Sequence, residues 1–143
     1  MSQTVTLTLP DSFFQPLLRT AQATQQSLEK LLLTALQTSL PPLDGLPKDL
    51  AEHLTVLETL SDQQLQLVLR ETVPKPTQTA ISRLLARQQQ RPLDATERQR
   101  LDALQHEADL VMLRKARAAV LLRFRGHRLP TLAELSQSAE TDA

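Results

Sequence analysis

Nine prolines interrupt a chain of 143 residues that is otherwise rich in the strong helix formers Leu, Ala, Gln and Arg. Proline lacks an N–H and cannot enter a helix interior without removing a hydrogen bond. The prolines therefore cut a helix-prone chain into segments of limited length. Pro10 closes the first segment, Pro41-Pro42 end a helix begun near Ser27, and Pro74 and Pro76 end another begun near Ser61.

Within these segments the apolar spacing gives the element type. Ser2 to Leu9 alternates, with Val5, Leu7 and Leu9 on one face and Thr4, Thr6 and Thr8 on the other, which predicts a β-strand. Asp11 reads as the cap of a first helix carrying Phe14, Leu17, Leu18 and Ala21, with Pro16 early in it. Ser27 reads as the cap of a second, with Leu28, Leu31, Leu32, Ala35 and Leu36 as its stripe. Pro41 to Lys48, with Gly45, reads as a linker.

Everything beyond it predicts helix: one over about 47–60, one opened by the capping-box spacing Ser61-Asp62-Gln63-Gln64, and one over about 77–90. A second capping-box spacing, Asp94-Ala95-Thr96-Glu97, opens a helix of about thirty residues that Gly126 suits as a C-terminal cap. The polar residues 136–143 read as a disordered tail. The expected organisation is a module at 1–40, a linker at 41–48, a helical module at 49–135 and the tail.

Composition removes several function classes. With no cysteine there is no thiolate zinc site, no disulfide framework and no cysteine nucleophile. Two glycines, Gly45 and Gly126, supply neither a dinucleotide fingerprint nor a phosphate-cradling loop. His53, His106 and His127 show no metal-ligand spacing, and no serine sits in a nucleophile motif. The expectation is a non-enzymatic protein without cofactor, metal or catalytic residues. The absence of a signal peptide pattern and of a run of about twenty apolar residues leads to the expectation of a soluble, cytoplasmic protein with no membrane partner.

Charge is segregated although the formal net charge is +0. Residues 1–74 hold four basic and eight acidic side chains, net −4, whereas residues 75–128 hold twelve and five, net +7. Arg114, Lys115, Arg117, Arg123, Arg125 and Arg128 lie in a stretch with no acidic residue between Leu110 and Pro130. Apolar residues surround much of that same stretch, including Leu113 and Phe124. A helix of this kind is covered by its own module, or offers an interface to a protein with an acidic rim, or adds contacts to DNA phosphates. On the interface reading, Leu113, Arg117, Arg123 and Phe124 are the partner-binding residues.

A lone strand has no partner in its own chain, and its backbone groups require one. A second copy paired across a twofold axis is the simplest solution, which predicts a homodimer with Val5, Leu7 and Leu9 as its core. With the strand Thr4–Leu9, the Leu9-Pro10-Asp11 helix entry, the spacing of the first helix and Ser27 at the second, residues 1–40 resemble the ribbon-helix-helix family of DNA-binding proteins, which includes repressors and many antitoxins. The resemblance implies a mostly α fold: a dimeric ribbon-helix-helix module followed by an all-α extension. It implies that Thr4, Thr6 and Thr8 read bases in double-stranded DNA at a palindromic operator and that Gln26, Ser27 and Leu28 clamp a phosphate. Gln25-Gln26 stands where the family has Gly or Asn. The function so implied is an autorepressor of antitoxin type whose extension neutralises a partner protein, a toxin. The alternative is a non-enzymatic dimeric adaptor that uses its ribbon only to dimerise.

Overall fold

A computed structural model describes residues 1–141. Its elements are α1 (Asp11–Ala23), α2 (Leu28–Ser39), α3 (Lys48–Val56), a 3-10 turn (Leu57–Thr59), α4 (Asp62–Leu69), α5 (Lys75–Gln90), α6 (Ala95–Phe124) and α7 (Leu132–Thr141). They fall into two compact units, Met1–Pro42 and the chain from Leu43 onward.

The described residues contain no strand, which corrects the expected strand over Thr4–Leu9 and with it the ribbon-helix-helix class. A β-ladder needs a second backbone to exchange hydrogen bonds with, and one copy of this chain offers none. Residues 1–8 are exposed, and only Leu9 is half-buried.

In the first unit, α1 and α2 pack on each other. The Pro10 carbonyl, at the cap position, accepts from the N–H groups of Phe13 and Phe14, both at 2.9 Å. Asp11 is thus the first helical residue and not the cap, and its carboxylate faces the positive end of the helix dipole. The helix runs on through Pro16, because Ser12 and Pro16 lie on an exposed turn where water can serve the carbonyl that loses its donor.

α1 ends in a Schellman motif, with the Gln26 N–H donating to the Ala21 carbonyl at 3.0 Å and the Gln25 N–H to Gln22 at 3.3 Å. Gln25 takes the left-handed conformation this requires, at φ 54°. Ser27 caps α2, its hydroxyl accepting from the Lys30 N–H at 3.1 Å, and Leu40 leaves the helix because Pro41 disfavours helical geometry in the residue before it.

The second unit is organised around α6, which packs against α3, the 3-10 turn, α4 and α5. Leu54, Leu57, Leu65, Val68, Leu69, Ala118, Leu121 and Leu122 are buried there, and Leu84, Leu93 and Leu101 form a cluster between α5 and α6 with Ile81 and Leu104 against it. Both capping boxes form: Ser61 with Gln64, and Asp94 with Glu97. Gly126, at φ 91°, closes α6 in a second Schellman motif through His127 N–H to Leu122 carbonyl at 2.9 Å.

Some boundaries depart from the spacing. The third helix tightens into a 3-10 turn over its last residues, and α5 begins at Lys75 because Pro76 sits in the first turn, where a missing N–H costs nothing. The expected tail from Ser136 is helical to Thr141, the rest lying outside the described residues. Its missed start signal is Thr131, whose hydroxyl accepts from the Glu134 N–H at 3.3 Å while Glu134 accepts from the Thr131 N–H at 2.8 Å.

A non-glycine residue in the left-handed region is strained, by about 1–2 kcal/mol. Replacing Gln25 with Gly relieves this strain but loosens the unfolded chain, leaving a net stabilisation of about 0.5–1 kcal/mol. Urea denaturation of the Gln25→Gly variant checks it; a lower midpoint contradicts it.

Candidate interaction surfaces

Two surfaces combine exposure with a distinctive chemistry, one in each unit. In the first unit a single side chain, Ala21, is fully buried, while Phe13 (65% exposed), Leu33 (54%) and Leu36 (56%) face solvent together with Val5 and Leu7. Leu33 and Leu36 lie three apart on one face of α2. Leu33 falls outside the stripe that the spacing of α2 suggested, of which Leu28, Leu31 and Leu32 are half-buried. Thr4, Thr6 and Thr8 are exposed, as are Gln26 and Ser27, and Leu28 is half-buried. The Ser27 hydroxyl is committed to capping α2.

The second unit changes the reading of the basic stretch. Arg117 is 7% exposed, and its guanidinium meets Glu58 at 3.2 Å. Arg114 makes a two-pronged contact with Glu71 at 3.0 and 2.9 Å, and that contact holds its guanidinium above the usual arginine pKa. Arg125 donates to the carbonyls of Leu60 (2.8 Å) and Glu58 (3.0 Å) and to Asp62 at 2.9 Å, where His127 also lies 2.6 Å away. The Arg125 and His127 hydrogen bonds hold the Asp62 carboxyl below its ordinary range.

Three acidic residues of the negative half thus neutralise three arginines of the positive half inside one unit. The charge reversal along the sequence is in part a record of these intramolecular pairs. Of the expected partner-binding residues, Arg117 is internal, Leu113 is half-buried, and Arg123 and Phe124 (48% exposed) reach solvent. Met112, which the spacing did not single out, is exposed as well.

At the α5–α6 corner, Glu97 accepts from Arg91 at 2.9 Å and from Arg87, and it also completes the cap of α6. These donors pull its pKa from 4.5 down to about 2. Arg91 is extended, as the residue before Pro92 must be, and this turns its side chain back towards Glu97.

Among the described residues no group of three or more His, Asp or Glu side chains is placed to hold a metal ion, and no helix is long and apolar enough to cross a membrane. No family model, curated protein or solved structure matches the chain.

Two outcomes are expected. Arg117→Glu sets a carboxylate against Glu58 within the helical core and should destabilise the unit by at least about 3 kcal/mol in guanidinium denaturation, whereas a surface arginine would tolerate it. With Glu97, the unfolded chain takes up its proton near pH 4.5 and the native one near 2, so acid favours unfolding across that window. The melting temperature should fall from pH 4.5 towards 2, and Glu97→Gln should flatten that fall; an unchanged acid limb would remove Glu97 from the account.

Proposed function

We propose that the chain is a self-associating, non-enzymatic regulator of antitoxin type. Its first unit pairs with a second copy through the exposed faces of α1 and α2 and brings two copies of the α2 N-terminus to DNA. Its second unit binds a protein partner.

The observation that carries this reading is the incompleteness of the first unit. A two-helix hairpin that buries one side chain and exposes Phe13, Leu33 and Leu36 lacks the core that stability requires of so short a module. Covering those side chains with the same surface of a second copy supplies that core, at about 1.5–3 kcal/mol for each large side chain buried. The DNA assignment adds two features of residues 1–40: Gln26, Ser27 and Leu28 at the N-terminus of α2 to hold a phosphate, and the exposed Thr4, Thr6 and Thr8 to contact bases. In the second unit, exposed Phe124, Met112 and Arg123 have the character of interface anchors.

A second reading, an adaptor that self-associates without binding DNA, is favoured by one specific fact. Residues 1–40 carry two basic and two acidic side chains, so this unit has no excess charge with which to attract phosphates.

Sedimentation of the full chain should show a dimer, and the Leu33→Asp/Leu36→Asp variant a monomer. Gel-shift assays should show the wild type retaining DNA from upstream of its own coding sequence over random DNA, and Thr4, Thr6 and Thr8 replaced by Ala should lose that selectivity. A dimer without selectivity selects the adaptor reading. A monomeric wild type defeats both.

A further inference from the structure

We propose that the second unit carries its own phosphate-binding strip, formed by α5 and the start of α6, and that it takes the backbone of a nucleic acid. This goes beyond the DNA contact assigned to the first unit.

The strip begins with α5, a sixteen-residue helix without one acidic side chain. Lys75, Gln78, Thr79, Ser82 and Arg83 line one depression along it. Arg83 also borders a second depression of about 310 Å³ with Arg87, Thr96 and Arg100. From Lys75 to Arg87 the helix rises about 18 Å, enough to follow several phosphates of one strand at roughly 3.4 Å each along a duplex axis.

The strip's cations differ from the arginines that tie α6 to earlier elements in being free, and they gather along two depressions. Arg114, Arg117 and Arg125 are occupied by acidic residues of the same unit. Lys75, Arg83 and Arg100 make no ion pair among the described residues and are exposed. Glu97 is the one carboxylate lining the second depression among the described residues, and Arg87 and Arg91 already neutralise it.

The neighbouring groups favour phosphate over an acidic protein. Arg, Lys, Ser, Thr and Gln are the side chains that hydrogen-bond phosphate oxygens. A protein interface would place an aromatic or large aliphatic anchor among the charges, and the lining residues of these depressions supply only Leu84, which is buried.

The test uses the full chain and a labelled random-sequence DNA duplex, with binding followed by fluorescence anisotropy from low to high salt. Each phosphate contact contributes about 0.9 to the slope of log K against log salt. Arg83→Gln/Arg100→Gln should therefore reduce that slope by about 2 and weaken binding at low salt, with an unchanged melting temperature because neither arginine is paired. Poly-glutamate of matched charge should compete poorly. The same slope difference should appear in the Leu33→Asp/Leu36→Asp background, because the strip lies within one copy; failure of the self-association reading is thereby separable from failure of this one. No duplex binding by the wild type, an unaltered slope in the double variant, loss of the difference in that background, or equal competition by poly-glutamate would overturn the assignment.

Discussion

A thirty-residue helix with apolar side chains on several sides cannot be covered by one neighbour, and the second unit is arranged to meet that constraint on α6. A single helix–helix contact buries one stripe of each partner. Around α6, α4 and the 3-10 turn pack on the C-terminal part, α5 packs on the N-terminal part through Ile81 and Leu84, and α3 also packs on it, with Asp49 3.6 Å from His106. The short helices are poor structures in isolation, because nucleating a helix is costly. Their stability comes from the side they give to α6. Capping makes this possible: the Asp94–Glu97 box starts α6 and the Gly126 motif stops it, so its two faces are presented in a fixed register.

Burial supplies the energy of this arrangement, but it does not by itself choose a register. The ion pairs do. Arg114 to Glu71, Arg117 to Glu58 and Arg125 to Asp62 are spaced along the C-terminal half of α6 and its cap, and each reaches a residue in or beside an earlier element. Sliding α4 by one turn along α6 would break the pairs with α4 and its flanks together and leave the guanidinium of Arg117 in the core without its carboxylate, which costs far more than a lost surface bridge. An apolar contact between leucines tolerates such a slip much better. Charge segregation in the sequence thus has a structural use, since acidic residues in early elements and basic residues in a late one reward only one way of folding back.

Much of the helical architecture is legible in the sequence because its signals are local. Ser27, Ser61 and Asp94 start helices where a side chain can reach an N–H three residues on, and Pro41 and Pro92 stop them through the residue before. Thr131 with Glu134 carries the same local signal as Ser61 with Gln64, and only its place in a polar terminal stretch hid it. What is not legible depends on distance. Alternation from Val5 to Leu9 states that a strand would suit those residues, but it cannot supply the second backbone that a strand needs. Likewise, nothing local separates Arg117 from Arg123, six residues apart on one helix. One lies in the core and the other in solvent because Glu58 is 59 residues away in sequence from the first. Arg83 of α5 and Arg100 of α6 were hidden in the same way, since only the folded pairs elsewhere reveal which cations remain free.

The two units differ in the one property that bears most on function, the degree to which each satisfies itself. The second buries its core leucines, caps its long helix and neutralises its interior arginines from its own residues, so what it leaves over, Lys75 and Arg83 of α5 and the exposed Phe124 and Met112, is surplus to its stability. Surplus groups on a rigid scaffold are where binding energy can be obtained without a folding penalty. The first unit has no such surplus. Phe13, Leu33 and Leu36 stand outside its core, and under the proposed self-association covering them would couple association to stability. On the proposed reading, a chain built in this way would respond to its own concentration through one unit while holding ligands through the other.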